Sequence, residues 1–225
     1  MTRAAIRCVV FDVDDTLYLE RDYVRSGFDS VGAWLQRDSG VVGFSDQAWR
    51  IFLAGGRGNV FDLALAALGV PASDSLVHQL VQVYRTHEPR IELLPDAQAC
   101  LQALHGRTTM GAVTDGPVES QRAKIKALQL EPWMHTLVCT AELGEGCSKP
   151  NPLAFEIIEK RTGATGAACV YVADNPGKDF GGPISLGWKT VRIRREHGLH
   201  ARLETPQGID AEIGQLTDLV TWCRG

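Results

Sequence analysis

The chain has 225 residues, roughly one and a half domains at about 150 residues each. With 44% apolar and 22% charged residues it has ordinary globular composition, and it is long enough to bury a core without disulfides or a structural metal. A formal charge of −4, from 23 basic and 27 acidic side chains, argues against a nucleic-acid or anionic-membrane binder, and no run of 18 apolar residues offers a membrane span.

Ile6–Phe11 (IRCVVF) reads as a first strand that ends at Asp12, Asp14 and Asp15. No signal-like apolar segment precedes it, and the six cysteines include no C-x-x-C pair. The expected setting is therefore the cytoplasm, with buried, reduced thiols. From about Leu17 to Glu92 no strand pattern appears. Periodicity predicts helices over Asp22–Gln36, Ser45–Leu53, Asn59–Leu68 and Ser73–Thr86, punctuated by Gly55-Gly56-Arg57-Gly58 and Gly69-Val70-Pro71. Strands and helices then alternate. Helix Asp96–Leu104 precedes strand Thr109–Val113, and helix Val118–Leu128 precedes strand Thr136–Cys139. Helix Pro152–Arg161 leads to strand Cys169–Ala173, and a short helix near Lys178–Leu186 to strand Lys189–Ile193. Such alternation predicts an α/β fold: a Rossmann-like parallel sheet from residues 1–16 and 93–225, with an all-helical insertion at 17–92.

Open parallel sheets bind ligands at the carboxyl ends of their strands. Those ends carry Asp12-Val13-Asp14-Asp15-Thr16, Thr114-Asp115-Gly116, Ser148-Lys149-Pro150-Asn151 and Asp174-Asn175-Pro176-Gly177-Lys178-Asp179. Crowded carboxylates repel unless a cation lies between them, and oxygen-only ligands select Mg²⁺, with Asp12 and Asp174 as the natural pair. A carboxylate nucleophile beside a second carboxyl that gives and takes a proton suits phosphoryl transfer, and Lys149 and Thr114 supply charge and hydrogen bonds for the transferred group. Each string also reads as ordinary turn or surface chemistry. Arg21, Arg25, Arg57, Arg85 and Arg90 are candidates to grip a second anionic group, though solvated helix faces are the simpler expectation. Arg192, Arg194 and Arg195 read as decoration of an exposed strand end. His197 and His200 lack the spacing and partners of a zinc site.

Phe11-Asp12-Val13-Asp14-Asp15-Thr16-Leu17 resembles motif I of the haloacid dehalogenase superfamily. Thr114 fits motif II, Lys149 motif III, and Asp174 with Asp179 motif IV, all in family order between residues 11 and about 182. The resemblance implies Asp12 as nucleophile and Mg²⁺ ligand, and Asp14 as acid and then base with its carbonyl on the metal. Thr114, Asp115 and Lys149 would bind phosphate, Asp174 would ligate Mg²⁺, and Asp179 would support it from behind. Asp115 stands where Asn is frequent, and Ala173 where Gly is common. The helical insertion takes the place of the family's C1 cap. The implied activity is Mg²⁺-dependent hydrolysis of a small phosphorylated metabolite (a sugar phosphate, nucleotide or similar) through an aspartyl-phosphate, by a monomer or homodimer without nucleic-acid or membrane partners. Its rivals are a phosphomutase, a 2-haloacid dehalogenase and a non-catalytic binding or regulatory protein. Asp14 favours the phosphatase, because an alkoxide leaving group needs a proton and a halide does not.

Overall fold

The computed structural model describes residues 5–224. They form two compact units: Arg21–Ile91, and the segment ending at Glu20 together with the segment beginning at Glu92. The larger unit holds a six-stranded sheet of β1 (Cys8–Phe11), β2 (Thr109–Thr114), β3 (Thr136–Cys139), β4 (Cys169–Ala173), β5 (Lys189–Ile193) and β6 (Ala211–Ile213). The order is β3-β2-β1-β4-β5-β6, with every pairing parallel.

β1 and β4 are continuous apolar runs buried along their whole length, as strands covered on both faces must be. Cys8 pairs with Thr109 on one side and Cys169 on the other. One core cluster joins Val10, Val113, Val138, Ile158 and Tyr171, and the Phe155 ring meets Tyr171 and Trp188 edge-on at 4.8 and 5.4 Å. The chain builds outward from β1 through β2 to β3, then returns to lay β4 on the other flank of β1. The carboxyl ends of β1 and β4 thus lie side by side where the strand order reverses, which is where such a sheet opens a crevice.

The helices are α1 (Glu20–Ser39), α2 (Phe44–Leu53), α3 (Val60–Ala67), α4 (Asp74–Thr86), α5 (Pro95–Leu104), α6 (Val118–Ala127), α7 (Leu153–Thr162), α8 (Gly181–Ser185) and α9 (Leu216–Arg224). Within the helical unit, Phe28 packs on Phe52, Phe61 and Tyr84 at centroid distances of 6.2, 6.1 and 5.9 Å. Ser73 caps α4, its Oγ accepting from Leu76 N at 3.2 Å. Arginines weighed as anion grips have partners inside this unit. Arg25 pairs with Asp29 and Asp46, Arg90 with Asp29, and Arg57 stacks 4.1 Å over Phe52.

Several expectations need correction. β1 begins at Cys8, not Ile6, although Arg7 still bonds Ala168 and Thr109 through its backbone. The helix expected near Lys178–Leu186 contracts to Gly181–Ser185, because Asp179 Oδ2 accepts Asn175 N at 2.9 Å and keeps the intervening residues in a turn. β6 and α9 were not anticipated; a three-residue edge strand is too short to show a period. Cys8, Cys100, Cys139 and Cys169 are buried, whereas Cys147 and Cys223 are half-buried. Among the described residues no helix is long and apolar enough to cross a membrane.

β6 is tied to β5 by Glu212, which accepts from Arg194 Nε and Nη2 at 2.9 and 2.8 Å and from the Thr205 hydroxyl. The Arg194 hydrogen bonds lower its pKa from 4.5 to about 2. The depressed carboxyl contributes stability above its unfolded pKa, and that contribution is lost as pH falls toward 2. The pair is part-exposed and screened, so the effect is small. Glu212→Gln should slightly lower the urea midpoint at pH 7, and the difference from the parent should vanish between pH 4.5 and 2.

Candidate active site

β1 ends at Phe11 and delivers Asp12 into the crevice, 5% exposed. Facing it is Lys149, on the loop that follows β3. Its backbone N–H donates to Asp115 Oδ1 at 3.2 Å. Its Nζ lies 2.8 Å from Asp12 Oδ1, 2.8 Å from Asp179 Oδ1 and 3.0 Å from the Tyr171 hydroxyl. The buried ammonium hydrogen-bonds Asp12 and Tyr171 and forms an ion pair with Asp179. Burial opposes the charged form of Lys149, but Asp12 and Asp179 outweigh it and hold the ammonium well above its ordinary pKa.

Asp174 follows β4, and Asp12, Asp174 and Asp179 each bring a carboxylate oxygen within 4.8 Å of the others. Burial pushes the Asp12 carboxyl up against the pull of Lys149, with Asp179 and Asp174 adding to the push. Burial likewise raises Asp174. Three carboxylates thus face one ammonium, and their donors are hard oxygens. Such a donor set could hold a divalent cation.

Asp14 takes a different direction. The chain turns after Asp12, with Thr16 N and Leu17 N returning to the Val13 carbonyl and Asp15 in the left-handed region at φ 48°. Asp14 Oδ1 and Oδ2 accept from Lys124 Nζ at 2.7 and 2.9 Å, and Oδ1 also accepts from the Tyr18 hydroxyl. Burial pushes the Asp14 carboxyl up, but Lys124 and Tyr18 leave it below its usual value. Lys124 was missed in the sequence, yet it left a signal. Gln121, Lys124, Ile125 and Leu128 recur at helical spacing and all are buried, so the lysine stands on the inward face of α6.

Thr114 closes β2, and its Oγ1 donates to Gln121 Oε1 at 2.8 Å. Gly116, at φ 133°, lets the chain pass Gln121, where an added Cβ would stand 2.6 Å from Nε2. The Asp115 carboxylate accepts from Thr140 Oγ1 at 2.7 Å, Lys149 N and Lys178 Nζ at 2.9 Å. Burial opposes its ionised form, but Lys149 and Lys178 hold its pKa below normal. It thus joins three loops and offers a phosphate no side-chain proton. Of the expected residues, Asp12, Lys149, Asp174 and Asp179 form one cluster, Asp115 anchors the Lys149 backbone, and Asp14 and Thr114 have partners elsewhere.

The model of the haloacid dehalogenase-like hydrolases matches residues 6–187, which span every one of these groups. The chain belongs to that family. A glyceraldehyde 3-phosphate phosphatase of Methanopyrus kandleri is 32% identical over 201 residues, covering 84% of each chain. One of the same name from Methanocaldococcus jannaschii is 26% identical over 96% of each. Among solved structures, a 2-haloacid dehalogenase of Pseudomonas syringae has the same fold, with a TM-score of 0.66 at 23% identity, covering 98% of this chain and all of that one. This haloacid dehalogenase-like hydrolase is an enzyme of the phosphatase type.

One reading of the sequence is overturned. Arg192 and Arg195, expected on an exposed strand end, are 0% and 6% exposed. Arg192 donates to the carbonyls of Asp174 (3.3 Å), Leu203 (2.8 Å) and His200 (2.9 Å), and to Thr205 Oγ1 (2.6 Å). Arg195 donates to the Thr16 carbonyl and pairs with Asp96 at 2.6 Å, which also accepts from Leu216 N. In this hydrolase the carboxyl end of β5 is therefore a buried guanidinium brace on the loops after β1 and β4. Arg194 is part-exposed, as expected.

Arg192→Met would strand buried acceptors, each costing about 1–3 kcal/mol. Urea unfolding should show a loss of about 3 kcal/mol or more. Arg192→Lys should recover only part, since three protons on one nitrogen cannot span the same four acceptors.

Proposed function

We propose that this enzyme hydrolyses phosphomonoesters of small metabolites with Mg²⁺, through an aspartyl-phosphate on Asp12. The observation that carries this reading is the buried Lys149 ammonium held between Asp12 and Asp179 beside Asp174. It joins a nucleophilic carboxylate, a fixed positive charge and an oxygen donor set in one crevice.

Lys149 holds Asp12 Oδ1 and so orients the carboxylate, and attack on phosphorus is assigned to Oδ2. As the new O–P bond forms, the ester P–O bond breaks and its electron pair leaves on the alkoxide oxygen, which takes a proton from Asp14. In the second half, Asp14 takes a proton from water. The water oxygen bonds phosphorus, and the Asp12–phosphorus bond breaks to release phosphate. Lys124 and Tyr18 stabilise the ionised form of Asp14, which suits the water-activating half; the first half requires that carboxyl to be protonated. The Thr114 hydroxyl, resting on Gln121, turns to a phosphoryl oxygen, and Asp115 offers its backbone N–H. When bound by Asp12, Asp174 and the Asp14 carbonyl, Mg²⁺ neutralises charge on the transferring group. Asp179 keeps Lys149 in place and ties the Asn175 turn.

The two named relatives favour a three-carbon sugar phosphate as the first substrate to test. Phosphate release from glyceraldehyde 3-phosphate and from p-nitrophenyl phosphate should require Mg²⁺ and stop with EDTA. Asp12→Asn should abolish it, and robust turnover by that variant would overturn the reading. Asp14→Asn should lower kcat on the sugar phosphate by about 10²–10⁴. With p-nitrophenyl phosphate, whose leaving group needs no proton, a phosphoenzyme should instead accumulate and be visible by mass spectrometry after acid quench.

A further inference from the structure

The segment after β5 has no part in the reaction just described, yet it touches the loops at both strand ends of the crevice. Gly198 passes Asp15 closely, and a Cβ there would stand 3.4 Å from the Asp15 Cγ and 3.2 Å from the Arg195 Cβ. That approach lets Leu199 N donate to Asp15 Oδ2 at 2.6 Å. The next residue, His200, places Nδ1 3.1 Å from Asp174 Oδ2 and Nε2 3.1 Å from Asn175 Nδ2. Asn175 Oδ1 accepts from Gly177 N at 2.9 Å, which fixes the amide with its nitrogen toward the imidazole. An amide nitrogen only donates, so Nε2 accepts, and Nδ1 carries a proton for Asp174. Arg192 holds the carbonyls of both His200 and Asp174, so neither end of this contact swings freely.

We propose that His200 is a positioning residue for Asp174. Its Nδ1–H pins Oδ2, so that Oδ1 is presented to the cation site shared with Asp12. The inference rests on the metal-dependent reading above. It assigns a role to a histidine outside the four motifs, which end near residue 182. Partners of this kind fix the orientation of a metal ligand, and losing one typically weakens metal affinity about 10–100-fold.

The test is Mg²⁺ binding by the full chain without substrate, measured by calorimetry for the parent, Asp174→Ala, His200→Ala and His200→Asn. Metal-free urea midpoints are recorded for each. Asp174→Ala should lose Mg²⁺. His200→Ala should bind about tenfold more weakly or worse. His200→Asn, whose amide nitrogen can stand where Nδ1 stands, should recover most of the affinity. A merely structural histidine would lower the urea midpoint of both His200 variants without this rescue, and that outcome overturns the proposal. So does parent-like affinity in His200→Ala when Asp174→Ala has lost it. If Asp174→Ala binds Mg²⁺ as the parent does, the metal assignment fails instead. Should His200→Ala not fold, His200→Gln replaces it. Gln carries its donor at the Nε2 position and should bind Mg²⁺ more weakly than Asn; equal affinities overturn the proposal.

Discussion

The constraint on which this structure turns is electrostatic. Several carboxylates stand at the ends of two buried apolar strands, where their desolvation is costly unless opposite charge is built in beside them. Lys149 meets that demand with hydrogen bonds to Asp12 at the end of β1 and Tyr171 within β4, and with an ion pair to Asp179 from the turn after β4. Its placement needs the sheet order, which sets β4 against β1. It also needs Asp115, whose carboxylate fixes the Lys149 backbone. The interaction that makes the cluster tolerable also assembles it.

A second buried lysine separates the surroundings of the two aspartates of the first loop. Burial pushes Asp12 up against the pull of Lys149, with neighbouring carboxylates adding to the push; Asp14, two residues on, is pulled down by Lys124 and Tyr18. The two carboxyls thus have separate partners: Asp12 shares the Lys149 cluster, and Asp14 answers Lys124 and Tyr18. The turn after Asp12 makes this possible. Continued as strand, residues 12 and 14 would share a face and one environment.

Behind both loops stands the brace at the end of β5. Arg192 and Arg195 reach the carbonyls of Asp174 and Thr16, so a strand paired on both sides, and the residues just after it, support two loops that would otherwise hold themselves. A guanidinium does this better than an ammonium, because its planar fork spans several carbonyls at once. The same brace carries the 196–205 segment to Asp15 and Asp174, adding a fifth strand end to a site that the motifs place on four.

The sequence by itself determined the fold class, five of the six strands to within two residues, and four residues that meet at the strand ends. Apolar runs, helical periods and Asp12, Lys149, Asp174 and Asp179 at strand ends are local patterns, and the parallel topology gathers such ends on one side. The edge strand β6 left no such pattern, being three residues long. Only the tertiary structure decided which charges meet. Lys124 lies 110 residues from Asp14, and Arg195 lies 179 from Thr16. A lysine on an inward helix face or an arginine in a buried strand signals that a partner must exist, since burying a lone charge is prohibitive. Which carboxylate or carbonyl answers depends on how the strands are ordered across the sheet, and no local pattern records that.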